Sequence, residues 1–116
     1  MKTTGSATTF HVSDINVSIK YYTEVLGFSE RFRFGDYAGV QYEDIQIHLS
    51  GPKATNKKEV GQGGIYIFCD NVDAYYAEVK SRGAKLQDAP KNHEYGMRDF
   101  VIEDPDSNLI GIGQET

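Results

Sequence analysis

Two parts of the sequence repeat one pattern, in which an acidic residue, a tyrosine pair and a glycine follow one another in the same order. The first copy contains Asp14, Tyr21, Tyr22 and Gly27, and the second contains Asp70, Tyr75, Tyr76 and Gly83. The aspartate-to-glycine interval is thirteen residues in both copies, from 14 to 27 and from 70 to 83, which accommodates about three helical turns. A repeat of this kind predicts two similar supersecondary units that share one core.

Each copy is predicted to begin with a strand followed by a helix. Residues 8–12 are β-branched and aromatic, as strands prefer, and Asp14 then stands where an N-cap carboxylate accepts backbone N–H bonds. In the second copy the strand is residues 65–69 and the cap is Asp70 or Asn71. The glycine of the repeat then ends each helix in the left-handed conformation. The predicted buried helix positions are Ile15, Ile19, Tyr22, Val25 and Leu26 in the first copy, and Val72, Tyr75, Tyr76 and Val79 in the second.

Short strands are predicted after each helix. They are residues 28–34, 38–42 and 45–50 in the first copy, and residues 85–86, 99–103 and 109–113 in the second. The breaks between them carry turn residues, and residues 89–95 form a further polar loop. The sequence therefore predicts a single α+β domain over residues 1–116. Its parts are a first βαβββ module (about 5–50), a linker (51–64) and a second βαβββ module (about 64–115).

Composition restricts the compartment and the class of function. The 116 residues suit one domain, and the sequence contains neither an apolar run of membrane-spanning length nor a basic, apolar leader. We therefore expect a cytoplasmic protein that does not contact membranes. The single cysteine, Cys69, cannot form an internal disulfide, which suits a reducing compartment. Because it lies in an apolar strand, we interpret it as a buried small hydrophobe rather than a nucleophile.

The net charge of −5 argues against nucleic acid as a partner. The linker pair Lys57 and Lys58 is the only short basic cluster in the sequence. A negatively charged protein tolerates a cationic small ligand better than an anionic one.

Two segments resemble the vicinal oxygen chelate superfamily, which includes glyoxalase I, extradiol dioxygenases, fosfomycin-resistance enzymes and bleomycin-resistance proteins. The first segment, residues 11–28, contains His-Val-Ser-Asp and ends with Leu-Gly-Phe. The second, residues 95–109, contains Tyr-Gly-Met-Arg-Asp-Phe and the turn Asp-Pro-Asp-Ser-Asn. Ser107 stands where the family usually has glycine, so we expect strain if this turn requires positive φ.

The resemblance implies two βαβββ modules that form an incomplete barrel around a cavity, with the helices outside, usually in a homodimer. Strand alternation favours such a cavity over a merely solvent-exposed face. The aliphatic strand positions are Ile45, Ile47, Leu49, Ile65 and Ile67, and the alternating positions are Gln46, His48, Ser50, Tyr66 and Phe68. One face of each sheet is thus aliphatic and the other is polar or aromatic. Whether the modules pair within one chain or exchange across a dimer is left open by the sequence.

The resemblance also locates the metal ligands of the family's enzymes, one on the first and one on the last strand of each module. These positions fall at Ala7, His48, Gly64 (or Gly63) and Gly111. Only His48 can bind a metal, and a catalytic ion needs three or four ligands. A combination of His11 with His48 lacks a third partner, and His93 is expected to be solvated in a loop. We therefore predict no metal and no cofactor.

Without a metal, the usual chemistry of the superfamily has no Lewis acid, and no Ser/His/Asp or Cys/His arrangement replaces it. We therefore predict no catalytic residues. The resemblance is closest to the bleomycin-resistance branch, which implies a protein that sequesters an antibiotic or another aromatic ligand in a dimer groove. One alternative is a metal-dependent glyoxalase-, dioxygenase- or fosfomycin-resistance-like enzyme with an atypical site. Another is a vestigial cavity in a protein that binds another chain.

The ligand-binding candidates combine aromatic side chains, which stack on planar groups, with polar side chains that orient a ligand. Tyr95 is the foremost candidate, because it precedes Gly96 where related proteins place an aromatic that stacks on ligand. The full set is Tyr95, His48, Gln46, Tyr66, Phe68, Arg98, Tyr37, Phe34 and Tyr42. For Phe32, Phe34 and Phe100, packing and ligand contact are equally consistent with the sequence.

Overall fold

The computed structural model describes residues 1–55 and 58–116 and has two separate sheets. The strands are β1 (Thr8–His11), β2 (Ser29–Phe34), β3 (Tyr37–Tyr42), β4 (Ile45–Ser50), β5 (Gly64–Phe68), β6 (Lys85–Leu86), β7 (Lys91–Asn92), β8 (Met97–Glu103) and β9 (Leu109–Glu115). The helices are α1 (Ile15–Lys20), which continues as a π-helical turn (Tyr21–Val25), and α2 (Val72–Ser81). Lys57, one of the two linker lysines, lies outside the described residues. Within the described ranges no helix is both long and apolar enough to cross a membrane.

The two sheets repeat the same strand order. In the first sheet β1 pairs in parallel with β4, and β3 and β2 continue antiparallel. In the second sheet β5 pairs in parallel with β9, β8 follows antiparallel, and both β6 and β7 pair with β8. The predicted α+β class is confirmed, and over the described ranges the sheets do not close into a barrel. Strand β7 lies inside the predicted polar loop 89–95, so the loop prediction was wrong at Lys91 and Asn92.

The helix caps follow from the sequence. The Asp14 carboxylate accepts the backbone N–H of Asn16 at 3.0 Å and of Val17 at 3.1 Å, as expected of an N-cap. The cap of α2 is Asn71, whose side chain accepts the N–H of Ala74 at 3.1 Å. The closing glycines of both helices have the predicted positive φ, +84° and +88°.

The repeat is less regular in the structure than in the sequence. Because the second cap is Asn71 rather than Asp70, the cap-to-glycine interval is 13 residues in the first module and 12 in the second. The additional residue of the first helix is absorbed by the π-helical turn, in which the Leu26 N–H bonds to the Tyr21 carbonyl at 3.2 Å. The two tyrosine pairs do not occupy equivalent helix positions, because Tyr21 is seven residues after its cap Asp14 and Tyr75 is four residues after its cap Asn71. The first pair hydrogen-bonds to residues 103 and 104 of the second module.

The helices cover one face of each sheet and bury the core there. Helix α1 packs on β3 and β4, and α2 packs on β8 and β9. The largest fully buried apolar side chains are Tyr22, Phe10, Leu26, Ile47, Leu49, Ile102 and Ile110. Phe100 belongs to this core, because it is 2% exposed and its ring contacts Tyr75 and Tyr76. Cys69 is only half-buried, which corrects the expectation of a buried thiol.

A buried carboxylate organises the Asp-Pro-Asp turn. Asp104 is fully buried, and its Oδ2 accepts the Tyr22 hydroxyl and the Asn108 side-chain amide, both at 3.0 Å. Its Oδ1 accepts the backbone N–H groups of Asp106 and Asn108, both at 2.9 Å. Burial raises the pKa of Asp104, and the hydrogen bonds of Asn108, Asp106 and Tyr22 oppose that rise. These four hydrogen-bond donors occupy the acceptor sites of both carboxylate oxygens, so the buried group needs no cationic partner.

The same turn joins the two modules. The Asn108 side chain accepts the Gly63 N–H at 2.8 Å and donates to the His11 carbonyl at 3.3 Å. The Tyr21 hydroxyl donates to the Glu103 carbonyl at 2.8 Å. The first strand, the first helix and the start of β5 are therefore all tied to one turn of the second module, within a single chain.

Replacing Asp104 with alanine is expected to reduce the free energy of unfolding by about 3 kcal/mol or more, because it leaves several buried donors unpaired. Tyr22→Phe removes one donor and keeps the ring, so it should cost only about 1 kcal/mol. Urea unfolding of both variants measures the difference. Similar losses in the two variants would contradict a network centred on Asp104.

Ser107 has a φ of +71°, so the strain expected from the sequence is present. Its backbone N–H bonds to the Asp104 carbonyl at 3.0 Å, and this bond fixes the turn. Ser107→Gly should raise the free energy of unfolding by about 0.5–1 kcal/mol, whereas Ser107→Ala, which keeps Cβ, should not. Thermal melts of the two variants test this, and a glycine variant less stable than the parent would contradict it.

Candidate ligand-binding site

Each sheet turns its second face away from the helices, and we call these two surfaces together the open face. The register places Tyr37, Gly39 and His48 on it in the first sheet. In the second sheet it carries Tyr66 and Phe68, paired with Gly111 and Gly113. The large side chains exposed on it or beside it are Phe34 (87%), Phe68 (74%), Tyr95 (65%), Leu109 (41%), Tyr66 (40%) and Phe32 (38%). The polar and aromatic face predicted from strand alternation is therefore present, and it is open rather than enclosed.

The open face of the first module carries a compact group of rings, which we call the His48 cluster. The Tyr37 hydroxyl lies 2.9 Å from His48 Nδ1. The Phe32 ring meets His48 edge-on, with 5.2 Å between ring centroids, and lies nearly parallel to Tyr37 at 6.3 Å. Gly39 permits this arrangement, because a Cβ at that position would collide with the Phe32 ring. Phe32 thus packs against both His48 and Tyr37 and forms one side of this cluster.

The second module carries a cluster centred on a carboxylate, which we call the Asp99 cluster. Asp99 is 9% exposed, and its Oδ2 accepts the hydroxyls of Tyr95 at 2.7 Å and Tyr66 at 2.9 Å. His93 Nε2 lies 2.8 Å from its other oxygen. The His93 and Tyr95 rings are stacked, with centroids 4.8 Å apart and planes 9° apart. The expectation that His93 is simply solvated was therefore wrong, because the imidazole is held between a carboxylate and a ring.

The charges of the Asp99 cluster fix its hydrogen-bond direction. Burial alone would raise the pKa of Asp99, but the hydrogen bonds from Tyr95 and Tyr66 and the charge of His93 lower it below the usual range. Burial and the bond to Asp99 raise the pKa of Tyr66 to about 12. The bond to Asp99 likewise raises the pKa of Tyr95. At neutral pH the carboxylate is therefore ionised and both phenols are donors.

A family model, the Glyoxalase/Bleomycin resistance protein/Dioxygenase superfamily, matches residues 6–112. The chain belongs to this superfamily. A bleomycin resistance protein of Geobacillus stearothermophilus is 27% identical, with 90% of this chain and 91% of the relative covered. The structure of TnmS3, an antibiotic binding protein from Streptomyces sp. CB03234, superposes with a TM-score of 0.82 at 25% identity, and the match covers 99% of this chain and 98% of TnmS3. The bleomycin-binding protein of Streptomyces verticillus, solved with copper(II)-bleomycin, superposes with a TM-score of 0.79 at 20% identity, and the match covers 97% of this chain and 96% of that protein.

The positions at which the superfamily's enzymes hold a metal do not fit an ion in this member. A side chain at Gly111 would meet the Tyr66 ring at 2.9 Å, and one at Gly63, the alternative third position, would collide with Phe10. Gly64 has room for a Cβ but supplies no ligand atom. His48, the one possible ligand, shares its Nδ1 with the Tyr37 hydroxyl. Among residues 1–55 and 58–116 no group of three or more His, Cys, Asp or Glu side chains is arranged to hold a metal. The donor set therefore supports no metal-dependent step.

Two predicted candidates lie on the helix side of the sheets, away from the others. The Arg98 guanidinium bonds Asp73 of α2 at 2.9 and 3.0 Å, because Arg98 alternates with Asp99 along β8. Tyr42 pairs in register with Ile45 on the aliphatic face, where its ring contacts Phe28 and Tyr75. Of the remaining candidates, Tyr95, Tyr66 and Phe68 are grouped in the second module, and His48, Tyr37, Phe34 and Gln46 in the first.

Sequence reasoning missed Asp99, which holds three of the second module's site residues in place. A signal for it exists, since Asp99 directly precedes the buried Phe100 in an apolar strand and must therefore point to the opposite face. The hydrogen bonds to His93 and Tyr95 have no such signal, because they depend on how the 93–96 loop folds back over β8.

Asp99→Asn is expected to reduce the free energy of unfolding at pH 7 by about 1–2 kcal/mol, because charge-assisted bonds are lost. The folded-state pKa of Asp99 is depressed, so this stabilisation is present above the unfolded value near 3.8 and disappears as the pH falls through the folded value. Urea unfolding of parent and variant at pH 5 and pH 3 tests the direction of this pH dependence, because the stability difference should be smaller at pH 3. A stability difference that stays constant between the two pH values would contradict it.

Proposed function

We propose that the protein binds and sequesters a small aromatic molecule of the antibiotic class on the open face of a homodimer, without changing it chemically. The observation that carries this proposal is the Asp99 cluster. It presents Tyr95, 65% exposed, as a ring already fixed by a hydrogen bond and a stack. A ring immobilised before binding costs little entropy when a ligand stacks on it.

The chemistry of the open face suits a planar ligand with polar substituents. Stacking on Tyr95 contributes about 0.5–1.5 kcal/mol beyond burial. In the first module the Phe32 and Tyr37 rings flank His48, whose second ring nitrogen is able to exchange a hydrogen bond with a ligand. The two clusters thus combine aromatic surface with a few oriented polar groups, as small-molecule sites generally do.

The exposed rings also support a homodimer. Phe34 and Phe68 are 87% and 74% exposed, and every residue of β2 is exposed. Exposed apolar patches of this kind usually mark an interaction surface. A second copy placed over part of the open face would bury these rings and enclose a ligand groove between the two chains. The single free Cys69 is consistent with a cytoplasmic location for such sequestration.

The relatives support the ligand class. The Geobacillus stearothermophilus relative is named a bleomycin resistance protein, TnmS3 an antibiotic binding protein, and the Streptomyces verticillus protein a bleomycin-binding protein. The metal positions of the superfamily's enzymes do not fit an ion here, so binding accounts for the site better than metal-dependent catalysis.

Isothermal titration with metal-free bleomycin, preceded by a melting-shift screen of glycopeptide and aromatic antibiotics, tests the proposal. Tyr95→Ala should weaken binding by about five- to tenfold, because the stacking surface is lost. Tyr95→Phe is the matched comparison, since it keeps the ring but loses the hydrogen bond to Asp99, and it should bind more weakly than the parent and more tightly than Tyr95→Ala. If no antibiotic in the screen shifts the melting temperature, the proposal is contradicted, and a role in binding another protein chain gains support.

Two further measurements address the remaining parts of the proposal. Sedimentation velocity should show a dimer, and a monomer at all concentrations would contradict the shared groove. Elemental analysis of protein purified without chelator should show no stoichiometric divalent metal. A bound metal at one equivalent would favour the enzyme alternative.

A further inference from the structure

A cleft of about 680 Å³ lies between the two modules, on the helix side of the sheets. It is bounded by the turn between β3 and β4 on one side, and by the end of β5 and the start of α2 on the other. Of the residues that define the open face, Phe68 alone lines this inter-module cleft. Its volume is within the range of ordinary small-molecule sites, about 300–1,000 Å³.

The wall of the inter-module cleft is aromatic and is built from both modules. Phe28 and Tyr42 of the first module lie 5.5 Å apart between ring centroids. Tyr42 meets Tyr75 of α2 edge-on at 5.7 Å, and the Tyr75 hydroxyl donates to the Leu26 carbonyl at 2.6 Å. These contacts fix the rings, so the wall is formed before any ligand arrives.

The charged residues that line the cleft are all of one sign. Four acidic residues line it, namely Glu43, Asp44, Asp70 and Glu78, and within the described part of the chain it has no Lys, Arg or His in its lining. The pKa of Tyr42 is raised by burial and then by the charges of Glu78 and Glu43, so carboxylates from both modules act on one ring of the wall. The Arg82 guanidinium lies outside the lining, pairs with Glu78 at 3.0 Å and partly opposes the rise in the pKa of Tyr42.

We propose that the inter-module cleft is a second binding site, separate from the open face, which accepts a planar aromatic cation. A delocalised cation seated against Tyr42 and Tyr75 gains cation–π attraction to the rings. The carboxylates at the mouth attract and orient the positive charge and disfavour anions of the same shape. The inference is independent of the proposed function, because, apart from Phe68, it uses different residues and a different face of the sheets.

Glu43 provides a clear test, because its backbone φ is +51°, a conformation that glycine adopts with less strain than a residue with a Cβ. Glu43→Gly should therefore leave the protein at least as stable as the parent, but weaken binding of a cation. A residue with only a structural role in the turn would not show this combination. Glu78→Gln removes a second carboxylate at an exposed helix position and also breaks the pair with Arg82, an exposed i,i+4 contact of the kind that contributes little to stability.

The probe pair is tetramethylrhodamine methyl ester, a cation, and fluorescein, an anion with the same xanthene ring system. Fluorescence anisotropy at low ionic strength should show binding of the rhodamine and much weaker binding of fluorescein, with the preference reduced by added salt. Glu43→Gly and Glu78→Gln should each weaken rhodamine binding on the order of fivefold. Asp88→Asn is the matched control, since it removes an exposed carboxylate outside the cleft and should leave binding unchanged.

Tyr95→Ala separates this inference from the proposed function, because it alters the open face and should leave rhodamine binding intact. The inference is overturned if the rhodamine does not bind, if fluorescein binds equally well, or if Glu78→Gln binds the rhodamine as the parent does. Loss of rhodamine binding in Tyr95→Ala would also overturn it, by placing the dye on the open face.

Discussion

The hydrogen bonds around the buried Asp104 carboxylate determine how the two modules are arranged. Asp104 holds Tyr22 of the first helix and Asn108 of its own turn, and Asn108 in turn holds backbone groups of β1 and the start of β5. Two repeated units with similar faces could pack together in several ways, since apolar contacts alone have little direction. Of the four donors to Asp104 only the Tyr22 hydroxyl comes from the first module. This bond, together with those of Asn108 to the His11 carbonyl and the Gly63 N–H, selects the arrangement that satisfies all three. The relative position of the two sheets, and hence the open face and the inter-module cleft, follows from this network.

On the open face, aromatic rings lie over glycines of the neighbouring strand in both modules. In the second module the Tyr66 ring lies across Gly111 and Gly113, in space that any larger side chain at those positions would fill. In the first module Phe32 lies across Gly39 in the same way. Glycine and a ring thus form a unit in both modules, and in the second module the Tyr66 ring occupies the space into which a ligand side chain at Gly111 would project. The result is aromatic surface fixed by polar contacts, which suits recognition of a planar molecule.

Residue-level prediction succeeded where local physics decides the outcome and failed where distant segments meet. Asp14 as a cap, the positive φ of Gly27 and Gly83, and the alternation of β4 and β5 depend on neighbouring residues alone, and all are present. Arg98 and Tyr42 were grouped with the open-face candidates because they are polar or aromatic, yet strand alternation places them on the helix side. The role of Asp99 was missed because its three partners are brought to it by a separate strand and a folded loop.

The sequence by itself determined the fold class, the first helix cap, the closing glycines and the superfamily, since each depends on periodicity, turn chemistry or a motif. It also determined that His48 alone can act as a ligand among the metal positions that the resemblance implies. Only the tertiary structure decided that the repeat is offset by one residue through a π-helical turn, that His93 joins Asp99 and Tyr95, and that the modules leave an acidic, aromatic cleft between them. These features arise from contacts between residues far apart in the chain, and no local pattern encodes their geometry.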